Sequence, residues 1–243
     1  ALGGHTLIED FSYILLRDAR IGIVGRNGCG KSTLLNILCG RMIPDEGEVI
    51  WGKTVKIGYF SQENEEMDLT LRVIDFIRNI AENIQTTEGT LSASQLLERF
   101  LFPPDLQFNT ISRLSGGERR RLYLLSILAS APNILVLDEP TNDLDIETLT
   151  ILEEYLESFP GAVVTVSHDR YFLDKVVNRI FAFEDGGKIR QYVGGYSDYA
   201  EKRREGEQNP ISQKPSENEP GRHTQKPRTR KLKFTYREEQ EFQ

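Results

Sequence analysis

The eight residues GRNGCGKS, Gly25 to Ser32, leave few folds open to this chain. The apolar run RIGIV precedes them and the periodic run STLLNILCG follows, so the spacing predicts a strand, a tight glycine-rich loop and a helix. Glycines let the backbone curl until successive N–H groups point inward, and the helix start adds its positive end. The result is a phosphate cradle. In such a cradle Lys31 reaches the β and γ phosphates of a nucleoside triphosphate, and the Ser32 hydroxyl ligates Mg²⁺. Gly25, Arg26, Asn27, Gly28, Cys29, Gly30 and Thr33 complete the expected binding set.

Residues 1 to about 200 alternate β-rich runs (RIGIV, VKIGYF, NILVLD, AVVTVSHD) with helical periodicity (KSTLLNILCG, ERRRLYLLSILAS, IETLTILEEYLESF). That alternation predicts an α/β domain with a largely parallel, buried sheet. Apolar residues at 73, 74, 77, 80, 81 and 84 mark one face of an amphipathic helix between Leu69 and Ile84. With the region to Arg113 it makes a helical subdomain, residues 69–113, inserted between two sheet elements. IFAFEDGGKIRQYVG reads as a hairpin turning at Asp-Gly-Gly. From Glu201 the chain becomes polar, with four prolines by residue 231, and residues 201–231 read as a linker. Residues 232–243 read as the start of a C-terminal helix or coiled coil.

Chemistry is carried by three further features. ILVLDEP is a buried strand ending in two acids: Asp138 arrives at the metal's edge, and Glu139 can accept a proton from an attacking water. Gln62 and His168 each follow a strand. In a phosphate site Gln62 reaches Mg²⁺ and the water, and His168 touches the γ-phosphate. Taken singly, either is an ordinary surface residue. LSGGERRRL, from Leu114, opens a second glycine-rich helix with Ser115, Gly116, Gly117 and Glu118. The chain already owns a cradle, so this anion site is surplus to its own nucleotide and should serve another molecule's ATP.

No apolar run approaches the roughly 20 residues that span a bilayer. Ala1 opens no secretory leader, so none is expected. Cys29 and Cys39 give no disulfide framework and read as small packing residues in a reducing compartment. The net charge of −7 argues against a polyanion binder as a whole. Residues 222–233 nevertheless hold six Lys or Arg and no acid, a stretch fit either to touch nucleic acid or to serve as a solvated tether.

In order, these motifs resemble the ATPase domain of the ATP-binding-cassette (ABC) superfamily: P-loop, glutamine loop, LSGGE signature, LVLDEP, the TNDLD loop with Asp143 and Asp145, and VSHD. Within it, DEPTNDLD, VSHDRYFLD and GGYSDY are similar to the ABC-F branch, most of all the second ATPase domain of Uup-type members. The resemblance implies a P-loop NTPase fold of ABC type, with a β subdomain beside the core sheet and the helical insertion. It implies ATP and Mg²⁺ as cofactors, with Ser32, Gln62 and Asp138 at the metal and Glu139, His168 and Gln62 in catalysis. Asp143 and Asp145 would form an inter-domain loop. It further implies a second ABC ATPase domain as partner, a ribosome, RNA or DNA target, and a cytoplasmic setting. The position aligned with the family's adenine-stacking aromatic holds Leu2. Two alternatives stand beside this reading: the ATP-binding subunit of a membrane transporter, and a nucleotide-gated module without catalysis.

Overall fold

The computed structural model describes residues 6–62, 67–86 and 89–208. Leu2, the stretch 209–231 and the expected C-terminal helix lie outside the described residues. Strand β1 (Arg20–Val24) leads through the glycine loop into α1 (Lys31–Leu38), and β2 (Ile57–Phe60) comes next. An insertion then holds α2 (Val73–Ile80), the hairpin β3 (Asn83–Thr86) and β4 (Gly89–Ser92), α3 (Ala93–Arg99) and α4 (Pro104–Gln107). The chain returns through α5 (Gly116–Ala129), β5 (Ile134–Asp138), the single turn α6 (Pro140–Asp143) and α7 (Ile146–Ser158). It finishes with β6 (Ala162–Val166), α8 (Arg170–Val176), β7 (Arg179–Phe183), β8 (Ile189–Val193) and α9 (Tyr196–Gln208).

Six strands share one sheet in the order β2-β5-β6-β1-β7-β8. The first five run parallel, and β8 closes the edge antiparallel to β7. Both faces are buried, which is why the strands read as continuous apolar runs. Side chains alternate between two cores: Leu135 and Leu137 face α5, α7 and α8, whereas Val136 faces α1 and the segment carrying Phe11 and Tyr13. Gly58 lets β2 sit close under α5, since a Cβ there would meet Ile127 Cγ2 at 2.7 Å.

The register matters most for function. Phe60 pairs with Leu137, Leu137 with Thr165, and Asp138 with Val166, which in turn pairs with Ile23. The C-terminal ends of β2, β5, β6 and β1 therefore lie level along one rim, where open α/β sheets bind ligands.

Three expectations change. The helix expected over 69–84 is only Val73–Ile80, because Ala81 turns extended (φ −158°) and Ile84, although buried, belongs to β3. No β subdomain forms from the flanking segments among the described residues: 6–19 and 41–56 carry no strand, the β7–β8 hairpin lies on the main sheet, and the one separate ladder is the β3–β4 hairpin of the insertion. Phe11 and Tyr13 instead pack edge-on against Phe181, at 5.4 and 4.9 Å between ring centroids. Finally, 201–208 are helical rather than linker. Their Glu, Lys and Arg residues favour helix, and Tyr199 anchors α9 against the Tyr192 ring at 5.0 Å. One compact unit runs to Gly206.

Candidate active site

The glycine loop needs its glycines. Gly28 and Gly30 have φ of 77° and 107°, a region costly for residues with a Cβ. Lys31, 8% exposed, turns its amine back onto the loop, donating to the carbonyls of Gly25 at 3.0 Å and Arg26 at 3.1 Å. Carbonyl oxygens thus hold the cation where phosphate oxygens would take over. Cys29 and Cys39 are free thiols, and burial pushes Cys39 up to about 12, far from reactivity at neutral pH.

Asp138, at the end of β5, is 3% exposed. Burial holds its carboxyl above the ordinary range, against the hydrogen bond from Ser32, that from Tyr59 and the charge of Lys31. Tyr59 donates to Oδ2 at 3.5 Å, and Oδ1 is buried with no hydrogen-bond partner. A buried, unsatisfied carboxylate oxygen beside a serine hydroxyl fits a hard cation. Among the described residues no group of three or more His, Cys, Asp or Glu could hold a metal ion. Asp138 with Ser32 fits Mg²⁺, which typically takes one or two carboxylates and completes its shell with substrate phosphates and water.

Glu139 comes next in a left-handed conformation (φ 51°, ψ 51°), a strain of about 1–3 kcal/mol for a residue other than glycine. It is held by its own N–H, which donates to the Val166 carbonyl at 2.9 Å, and by Pro140 opening α6. The strained turn aims the carboxylate across the rim. Its Oε1 lies 3.1 Å from His168 Nε2, and its Oε2 accepts from the His168 backbone N–H at 3.2 Å. Burial raises its pKa, with the neighbouring Asp138 adding to the effect and His168 and Lys31 opposing it. Gln62 sits exposed just past β2, next to the buried Ser61.

The structure thus gathers Gly25–Ser32, Gln62, Asp138, Glu139 and His168 on one rim. The signature segment is built differently. Ser115 caps α5 and forms a reciprocal box with Glu118: the Ser115 N–H and hydroxyl donate to Glu118 Oε2 at 2.7 and 2.8 Å, and the Glu118 N–H donates back at 3.2 Å. These bonds hold the Glu118 carboxyl below its ordinary range. A Cβ on Gly116 or Gly117 would meet nothing within 4 Å. The fold leaves that turn open.

Sequence reasoning missed the side chains that tie α5 to the rim. Arg120, 5% exposed, donates to the Ser61 carbonyl and pairs with Asp143 at 2.8 Å. Arg121 pairs with Asp145 at 3.2 Å. The signal was present: Arg120 lies three and four residues before the buried Tyr123 and Leu124, on the apolar stripe of α5.

A phosphate cradle, a buried metal-facing aspartate and a strained glutamate paired with a histidine define a P-loop ATPase domain. A family model described as ABC transporter matches residues 8–142, and the chain belongs to that family, in its ABC-F branch. It is 48% identical over 243 residues to an uncharacterised ABC transporter ATP-binding protein, YfmR, of Bacillus subtilis. It is 42% identical over 197 residues to ATP-binding protein Uup of Escherichia coli, and 39% over 199 residues to the energy-dependent translational throttle protein EttA of the same species. These alignments take in 100%, 81% and 82% of this chain but only 38%, 31% and 36% of those relatives' lengths. Among solved structures, an archaeal ribosome recycling factor, aABCE1, in complex with ribosomal stalk protein aP1, matches at TM-score 0.64 and 25% identity, covering 79% of this chain and 37% of that one. The ATP-binding cassette MJ0796, a dimer in a post-hydrolysis state with ADP and phosphate, matches at TM-score 0.61 and 24% identity, covering 77% and 90%. No helix among the described residues is long and apolar enough to cross a membrane.

Proposed function

We propose that this domain hydrolyses ATP at a site shared with a second ABC domain, and that closure of the pair acts on a translation-linked, RNA-containing target. The observation that carries the first part is the rim itself, where Glu139 and Asp138 stand adjacent, buried and turned toward the Lys31 loop. Lys31 exchanges its two loop carbonyls for β and γ phosphate oxygens. Ser32, Asp138 and Gln62 would hold Mg²⁺, which when bound would supply neutralising charge at the phosphates. Glu139 accepts the proton of the attacking water as the bond from γ-phosphorus to the ADP oxygen breaks, and His168 keeps the carboxylate in line. Such catalysis is largely positioning and charge neutralisation. The open Gly116–Gly117 turn of α5 supports a role for the signature on a partner's nucleotide. The likeness to EttA supports the translational target, and the basic stretch 222–233 would add a contact that weakens steeply with salt.

A Glu139→Gln variant tests the chemistry. ATP binding stays within about twofold of the parent while single-turnover hydrolysis falls by about 10² to 10⁴. In the parent, the acid limb of the pH–rate profile lies above the ordinary glutamate range, because burial raises this carboxyl and the base must be ionised. Unchanged turnover in the variant refutes the assignment.

A further inference from the structure

We infer that Arg120 is a positioning residue for hydrolysis, tying the first turn of the signature helix to the two loops that flank Glu139. The inference rests on the shared-site reading above and names the part that would make it work. Arg120 stands five residues after Ser115, about 7.5 Å along a rigid helix. Its guanidinium bridges two separate loops. One contact is the carbonyl of Ser61, the residue before Gln62; the other is Asp143 Oδ2, four residues after Glu139 and at the end of the turn that Glu139 caps. Its plane is also fixed, with Cζ 4.0 Å from the Phe60 ring centroid and 5.7 Å from that of Tyr123. Arg121 grips Asp145 at the far end of the same loop, so α5 holds the Asp143–Asp145 segment at two points.

Stability alone is a poor account of this arrangement. Asp143 keeps 38% of its side-chain surface exposed, so water screens the ion pair and its net worth to stability is small, while the burial of Arg120 still costs free energy. A planar fork that bridges a backbone carbonyl and a carboxylate does what an apolar side chain cannot, which is to fix two loops in register with one helix. The first turn of α5 is free to respond: its glycines face open space, and the Glu118 carboxylate occupies an anion position that a phosphate oxygen could take instead. A shift of that turn moves Arg120, and with it the loops that aim Gln62 and Glu139.

The test uses the intact protein carrying Arg120→Met, Arg120→Lys, Asp143→Asn and the double variant Arg120→Met/Asp143→Asn. Each is read by melting temperature, ATP affinity, KM and kcat. Arg120→Met should keep ATP affinity and KM within about twofold while kcat drops about tenfold or more, the scale of a small misplacement of reacting groups. Lysine, able to keep one of the two partners, should recover part of the loss. Asp143→Asn should lower kcat too, and the double variant should be no worse than Arg120→Met, as one network requires. A kcat within twofold of the parent in Arg120→Met, or two losses that multiply as independent, overturns the inference. If Arg120→Met fails to fold, full kcat in both Arg120→Lys and Asp143→Asn overturns it equally. A Ser115→Arg variant separates this from the reading beneath it. Should Ser115→Arg leave turnover intact, the shared site falls and the tether with it; should it abolish turnover while Arg120→Met does not, only the tether falls.

Discussion

Asp138 and Glu139 are adjacent residues with different local tasks. Asp138 ends a strand in ordinary extended backbone and keeps one oxygen without a partner, whereas Glu139 is bent into a left-handed turn and paired with His168. The buried aspartate is a stability cost in the empty protein. Its folded pKa lies above the unfolded one, so at neutral pH the fold carries an ionised group it disfavours, and that penalty fades as pH falls through the raised value. Asp138→Asn should therefore raise the melting temperature of the empty protein near pH 7.5, each kcal/mol being worth about 2–4 °C at this size. The gap should narrow in acid, and the extra stabilisation by Mg²⁺ with ATP should shrink. Calorimetry across pH checks all three. Most of these residues were legible because their motifs are local: a strand, then a polar residue at its end. Arg120 was legible only in part: its place on the apolar stripe of α5 marks it as buried, but its partners Ser61 and Asp143 come from distant segments.

At the level of elements, β1, the glycine loop, α1, α5 and the β7–β8 hairpin are direct consequences of apolar period and turn residues. The insertion resisted the same reading. Apolar residues at 77, 80, 81 and 84 keep a helical period across what is in fact a helix end, a break and a strand, and only pairing with β4 reveals it. Within α2, Val73, Ile74 and Ile77 are buried, each worth about 1.5–3 kcal/mol, which is enough to hold a helix of 8 residues without any side-chain cap. The tail misled in the opposite sense, its polar composition hiding a helix that runs to Gln208. The opening turn of α5 yields a prediction in which stability and activity part. Gly117→Ala, adding a methyl that meets nothing within 4 Å, should stabilise the chain by about 0.4–1 kcal/mol in chemical denaturation. If the proposed shared site is right, the same methyl should lower turnover of the paired assembly about tenfold or more, because it would stand where the partner's phosphate approaches. Equal turnover would show that nothing docks there.

For the molecule as a whole, the sheet register brings the glycine loop, Asp138 and Glu139 to one rim, and the proposed shared site would make this domain half of a pair. At a concentration 100 times its Kd, Mg²⁺-ATP should stabilise the isolated chain by about 2.7 kcal/mol, or about 5–11 °C in melting, and EDTA should reduce that gain. Turnover by the same dilute, monomeric sample should be feeble and should rise per chain with concentration. A rate per chain that is high and indifferent to dilution would mean one copy suffices. The reciprocal cap between Ser115 and Glu118 bears on how each cycle ends. With Glu118 as its own substitute anion, the Ser115 turn would leave fewer donors stranded when the proposed partner domain moves away, so parting would expose less unmet polarity to the solvent.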